Sequence, residues 1–472
     1  MRLKPLVAGL LGALTALILL TPLIVILHQA FLFRPPFPRG ILIGSTTPSS
    51  AKIWIRATHC ESATLSLSSS SSPGSPPPPS MMESPITVTL STSPPTSHPD
   101  IAIIPLSSLI PSTSYSISVT LDNCLTPSPP LHASFSTFSQ PDDSSISPST
   151  FLFGSCMTRT AFWPFDTVSL LDHVRESHAA DLDFALLLGD LGYRDLNAVI
   201  APYYHLDADT AYAQVWSDPA VRSLFETLPS FAMFDDHEIA NDYDSGPDTP
   251  LFVDAMQAFD AWIGVRNPEP LRQGSRYFAF NNSAASTSVF MVDTRSYRSP
   301  NDAPDGPGKT MLGDQQEADL KAWLLAHHNA GTLFKIIASP VSWSPHGDGG
   351  MFAHQISELL SFVADHNIQG VVILSGDTHW AAAYKHGHRE PYVWECSASP
   401  FQALPFPDPA WIVGPDDPDS ISETLFVSSL SFHFGVARTD PDLGLFSCDL
   451  YSYFPLLHSS PTLAFTHTHS VR

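Results

Sequence analysis

Residues 231–242 read FAMFDDHEIAND. A short apolar run, Phe231 to Phe234, gives way to Asp235, Asp236, His237 and Glu238, with Asn241 and Asp242 one turn further on. That is the form of a buried strand presenting oxygen and nitrogen ligands at its tip. Carboxylates placed near a core repel one another and lose hydration, so a cation is needed to offset the cost, and these residue types suit a hydrolytic metal site. An acidic loop capping a following helix looks the same, so this stretch alone leaves both readings open.

The pattern recurs along the chain. Five apolar runs end in a group able to bind a metal or do chemistry: FLFGSC at Cys156, FALLLGD at Asp190, SFAMFD at Asp235, VFMVD at Asp293 and VVILSGD at Asp377. Helical segments lie between several of them. The runs therefore read as strands of an α/β fold whose C-terminal ends converge on one crevice. Phe252, Met256, Phe259 and Ile263, and likewise Phe352, Ile356, Leu359 and Val363, recur at helical spacing and mark helix faces turned to a core. Leu312 to Leu324 reads as a further amphipathic helix, and Trp262 and Trp323 as core packing.

The 472 residues leave room for two or three domains, and 43% hydrophobic content is ample for a sizeable core. Net charge is −24, from 22 basic and 46 acidic residues, which repels a nucleic-acid backbone and excludes broad electrostatic binding to one. An anionic substrate then needs local reversal of the field by bound cations and a few arginines.

Leu6 to Leu27 carries no charged residue over 22 positions. At helical rise it spans about 33 Å, the thickness of a bilayer core. Residues 1–36 are read as a signal anchor, making a single-pass membrane protein with its catalytic domain in the secretory lumen or outside the cell; the alternative is secretion after cleavage. Residues 37–140 hold short period-two runs such as AKIWIRA and SYSISVTL, expected to form a small β-sandwich of structural role. Ser68 to Ser80 is too rich in serine and proline to build a core and is expected to be a flexible loop. A linker follows at Gln140 to Thr150. Residues 151–455 form the catalytic domain, ending in a hairpin of FHFGVARTD and LGLFSCDLYS. Residues 456–472 are expected to be a disordered tail in which His467 and His469 are solvated.

Taken together, GSC (Gly154 to Cys156), GDLGY (Gly189 to Tyr193), FDDHEIAND, DTRSYR (Asp293 to Arg298) and SGDTHW (Ser375 to Trp380) resemble the PhoD-type alkaline phosphatases, a branch of the calcineurin-like metallophosphoesterases. The resemblance covers Phe37 to Tyr453. It implies a four-layer αββα sandwich preceded by a β-sandwich, one Fe(III) with calcium ions, and hydrolysis of phosphomonoesters and sometimes diesters by a metal-activated hydroxide attacking phosphorus in line. Carried over, Cys156, Asp190, Tyr193, Asp377 and His379 serve the iron part, with Asp190 bridging. Asp235 and Asn241 serve the calcium part, and Asp236 is a further candidate for it. Thiolate, phenolate and imidazole suit a transition metal and carboxylate and amide oxygens suit calcium, in keeping with that division.

His237, Arg295 and Arg298 are left as catalytic residues for the phosphate and leaving group, His237 as proton donor and arginine as a planar fork for phosphate oxygens. Arg298 also reads as a solvated loop residue, and Asp293 as a group that only orients Arg295. The chain departs from the family at Phe234, where many members carry Trp, and at Ser344 to Gln355, where His346 and Asp348 either line the pocket or belong to a turn. Competing functions are a phosphodiesterase acting on lipid or nucleotide head groups and a non-catalytic membrane-anchored binding protein on the same scaffold.

Five cysteines leave at least one unpaired in an oxidising lumen. Because the family places an iron ligand there, Cys156 is expected to be free, with Cys60 paired to Cys124 and Cys396 to Cys448. For the latter two, buried apolar thiols are an equal alternative. Asn281-Asn282-Ser283 is a glycosylation acceptor triplet between two expected strands.

Overall fold

The computed structural model describes residues 39–70, 86–89, 100–140, 146–158, 168–178, 181–195, 207–407, 420–454 and 460–471. The expected anchor Leu6 to Leu27 lies outside them, as does most of the expected Ser/Pro loop, although its first residues, Ser68 to Ser70, still belong to a strand. Among the described residues no helix is long and apolar enough to cross a membrane.

The N-terminal unit is built of two antiparallel sheets. One holds β1 (Arg39–Thr46), β2 (Ser50–Ala57) and β5 (Ile101–Ser107); the other holds β3 (Ser62–Ser70), β4 (Ile86–Thr89), β6 (Ser114–Asp122) and β7 (Leu131–Ser136). Alternation along β6 makes the sandwich: Tyr115, Ile117, Val119 and Leu121 are buried, while Ser114, Ser116 and Thr120 face outward. Cys60 and Cys124 form a disulfide at its end.

Two mixed sheets make up the rest. Six strands run in the order β10 (Ser230–Met233), β9 (Phe184–Leu188), β8 (Ser149–Gly154), β18 (Phe432–Asp440), β19 (Leu445–Tyr453), β20 (Thr462–Ser470). Seven run in the order β11 (Phe278–Asn282), β12 (Thr287–Met291), β13 (Phe334–Val341), β14 (Val371–Gly376), β16 (Val393–Ser397), β15 (Ala381–His386), β17 (Ser422–Ser428). Within the first sheet β8, β9 and β10 are parallel, and within the second β12, β13, β14 and β16 are parallel. These are the continuously apolar runs, as burial on both faces demands: every residue of β9, β12 and β14 is buried. The sheets pack with β9 against β13 and β8 against β14, and the Cys396–Cys448 disulfide ties β16 of one to β19 of the other.

Helices α1 (Val168–Ser177), α2 (Ala208–Trp216), α3 (Pro219–Phe225), α4 (Pro250–Trp262), α5 (Asp314–Asn329) and α6 (Ala353–Asp365) complete the core. The expected faces are the buried ones: Phe252, Met256 and Phe259 on α4, and Ile356, Leu359 and Val363 on α6. The helix expected at Leu312 starts instead at Asp314, because Gly313 has φ of 74° and ends the preceding turn.

Two expectations fail. Of the expected tail, Thr462 to Ser470 do not hang free but pair with β19 from Leu445 to Ser452. Nor are His467 and His469 solvated: both rings lie against Trp394, at 4.2 and 5.5 Å between centroids, and burial holds His469 at a pKa of about 4. Alternating Phe465, His467 and His469 are the inward positions of a strand, a period-two signal present in the sequence. The β-sandwich has a core of its own, in which Ile41, Ile53, Leu65 and Val119 are buried, and it also packs onto the two mixed sheets. Leu42, Trp54, Ile101 and Phe138 belong to the same apolar core as β8–β10, and Trp54 Nε1 donates to the carbonyl of Ala261 at 2.9 Å.

Candidate metal centre

All five strands β8, β9, β10, β12 and β14 end on the same side of the stacked sheets, and the loops that follow carry the expected ligands. Where these strands stop, the backbone turns sharply: Cys156, Asp190, Asp377 and His379 all have φ between 57° and 69°. Non-glycine residues rarely adopt that conformation, and it costs of order 1–3 kcal/mol each. Such strain marks sites whose side-chain direction matters more than local stability. Gly189, at φ of 88°, leaves space for the neighbouring loop, because a Cβ there would lie 2.6 Å from that of Asp235.

Among the described residues three sets of ligand atoms, each within 4.8 Å of one another, emerge: Cys156, Asp190 and His379; Asp190, Asp236 and His237; and Asp190, Asp235, Asp236 and Asp377. Asp190 belongs to all three. Its Oδ2 accepts from Tyr193 Oη at 2.9 Å and from the Cys156 thiol at 3.4 Å. Tyr193 Oη also meets His379 Nε2 at 3.1 Å. Cys156, Asp190, Tyr193, Asp235, Asp236, Asp377 and His379 are thus brought together. Asn241 lies beside them, its backbone amide donating to Asp195 Oδ2 at 2.6 Å; its side chain is exposed, with Nδ2 donating to Asp242 at 2.5 Å.

The donor set fits bound cations. Burial raises the pKa values of Asp190 and Asp377 well above the carboxylate range and pushes the Cys156 thiol and Tyr193 phenol up as well. That many buried groups can be anionic together only beside positive charge. Asp236 behaves differently: burial pushes it up, but Arg295, His237 and the Asp242 amide outweigh this and hold it at about 2, with Oδ1 making no hydrogen bond among the described residues. His379 is prepared as a neutral ligand. Its Nδ1 donates to the carbonyl of Leu404 at 2.5 Å, which leaves the Nε2 lone pair toward the cluster, and burial keeps its pKa near 4.

Arg295 and Arg298 are both buried, so neither is a solvated loop residue. Arg295 grips Asp235 through Nε and Nη2, lies 3.4 Å from Asp348, and keeps Nη1 without a partner among the described residues. Arg298 is fully engaged, with Nε on the Thr294 carbonyl at 2.7 Å, Nη1 on Asn301 at 3.1 Å and Nη2 on Asp348 at 2.6 Å. Asp293 orients the turn that carries Arg295, its Oδ1 accepting the amides of Arg295 and Ser296 at 3.1 and 2.9 Å. His237 Nδ1 lies 2.7 Å from Asp195 Oδ1, and its ring stacks on Tyr193 at 4.2 Å.

Sequence reasoning assigned no role to Asp195, placed Glu238 in the ligand-bearing cluster without a role of its own, and left Asp348 between pocket and turn. Asp348 begins a short 3-10 turn and also meets both arginines. Glu238 ends the DDHE run and Asp195 stands two residues after Tyr193, so adjacency to assigned ligands was the available signal. Cys156 is free and the other four cysteines are paired as expected.

A sequence model of the PhoD-like phosphatase family matches residues 151–424. Alkaline phosphatase D of Bacillus subtilis (strain 168) is 29% identical over 216 aligned residues, covering 37% of this chain and 36% of the relative, so that match spans about a third of the relative's length. A solved structure of PhoD superposes with a TM-score of 0.72 at 17% identity, covering 92% of this chain and 90% of that one, which shows a shared fold across the β-sandwich and the two stacked sheets. With more than half of its length matched by the family, the chain belongs to the PhoD-like phosphatases.

Proposed function

We propose that the protein hydrolyses phosphoesters at the centre built around Asp190. The observation that carries this is the sharing of one buried carboxylate by three overlapping ligand sets, with thiol, phenol and imidazole on one side and carboxylates on the other. Cys156, Tyr193, Asp190, Asp377 and His379 would hold a transition metal, Fe(III) by resemblance, and Asp235 and Asp236 calcium with Asp190 between. Bound cations of this kind lower the pKa of water and neutralise phosphate charge. Asn241, whose bond to Asp242 uses Nδ2 and not the oxygen, would complete the calcium part, with the buried Oδ1 of Asp236 as a further oxygen donor.

The chain's own groups supply the rest. Asp195 fixes the His237 ring through Nδ1, leaving Nε2 to steady or protonate the leaving oxygen. Arg295 offers Nη1 to a phosphate oxygen while its other nitrogens balance Asp235. Arg298 acts through Asp348, which it holds beside Arg295, because none of its nitrogens is free. Residues 1–36 anchor the protein in this reading, with the catalytic domain lumenal or external.

Phosphate release from p-nitrophenyl phosphate and from bis-p-nitrophenyl phosphate, with elemental analysis of the same preparation, tests the proposal. Turnover of the monoester by iron- and calcium-loaded protein is expected. Preference for the diester would favour a phosphodiesterase of lipid or nucleotide head groups, and a folded, metal-loaded protein inert to both would favour a binding role.

A further inference from the structure

We infer that Asn281 is a site of N-linked glycosylation. Asn281-Asn282-Ser283 is the chain's one Asn-x-Ser/Thr triplet, and the fold separates its two asparagines by the alternation of a strand. Asn282 points inward and donates to Ser149 Oγ at 3.1 Å, whereas Asn281 and Ser283 are exposed. Asn281 Oδ1 accepts from Ser288 Oγ at 2.7 Å. The amide nitrogen, the atom that a glycan would take, has no hydrogen bond to another described residue, so a substituent there breaks no contact. Beside it lies a hollow of about 290 Å³ lined by Ser283, Ser286, His327 and Thr332 among others, with room for the first sugar.

Position in the fold gives the modification a purpose. Asn281 lies on β11, an outer strand of the seven-stranded sheet, two residues before the 3-10 turn Ser283–Ala285. An open strand edge is a template for pairing with another chain, and a bulky hydrophilic chain beside it blocks that approach. The two disulfides match the oxidising compartment in which such transfer occurs. In the transfer, Asn281 Nδ2 attacks the anomeric carbon of a lipid-diphosphate-linked oligosaccharide; the N–C bond forms, the C–O bond breaks, the lipid diphosphate leaves with the electron pair, and the amide proton passes to a base of the transferase. No group of the metal centre takes part, so the inference stands independently of the hydrolase reading.

The test is translation of the full chain with eukaryotic microsomes, followed by gel mobility and peptide mapping with and without peptide-N-glycosidase. One mobility step is expected, removed by the glycosidase and absent in both Asn281→Gln and Ser283→Ala. Asn282→Gln keeps the triplet and is expected to keep the step, which separates loss of the acceptor from a local folding defect. An unmodified Asn281 peptide in translocated chains overturns the inference, as does a chain that never enters the microsomes or a step that survives in Asn281→Gln.

Discussion

Glu238 accepts the backbone amide of Asp190 at 3.1 Å, and with the same carboxylate it accepts those of Leu191 at 2.5 Å and Asp235 at 2.9 Å. One buried side chain thus fixes both loops that carry the central ligands, without being a ligand itself. Glutamine in its place would turn an amide donor toward donors. Glu238→Gln is therefore expected to weaken metal binding about 10- to 100-fold, read by metal-dependent thermal shift and elemental analysis. Unchanged metal affinity beside a lowered melting temperature would reduce Glu238 to a structural role.

Asp190 takes part in every ligand set, so its replacement cannot be absorbed by a neighbour. Asp190→Asn is expected to remove most activity and metal while circular dichroism stays that of the parent. Near-normal turnover would sink its assignment as the bridge.

For Cys156 the readout is selective. Cys156→Ser removes the soft donor, and iron content should fall with calcium largely retained. Non-reducing peptide maps should still show Cys60–Cys124 and Cys396–Cys448. Discovery of Cys156 in a disulfide would require the centre to be reassigned.

His433 gives a pH prediction one residue removed from the candidate ligands, because Ser399, which it bonds, donates Oγ to Cys156 Sγ at 3.0 Å. It is fully buried, Nδ1 donating to the Ser399 carbonyl at 2.9 Å and Nε2 meeting Ser428 Oγ at 2.9 Å, and burial lowers its pKa from 6.5 to about 4. Between those values the unfolded chain binds more protons than the folded one. Its contribution is complete above about pH 6.5 and is lost as pH falls toward 4, by roughly 3 kcal/mol. Urea midpoints should fall over that window, and less steeply in His433→Gln. An identical pH slope in both proteins would remove His433 as a cause.

Strand tips, helix faces and the free cysteine were legible in the sequence because each depends on local periodicity or on a motif whose residues lie close along the chain. FALLLGD shows a buried strand ending in a carboxylate whatever surrounds it. Partners distant along the chain were decided only by tertiary structure. That Glu238 reaches back 47 residues to Leu191, that Arg298 meets Asp348 50 residues on, and that the Leu404 carbonyl orients His379 are consequences of which strands lie side by side within each sheet, β9 by β10, β12 by β13 and β14 by β16. The tail shows the same division: Phe465, His467 and His469 alternate as a strand does, yet only the free edge of β19 and the face of Trp394 decide that it folds there. Hydrophobic alternation specifies which face of an element is buried, but a carboxylate's charge state, an arginine's partner and a strand's neighbour depend on groups brought near by the fold, where distance and burial set the energy.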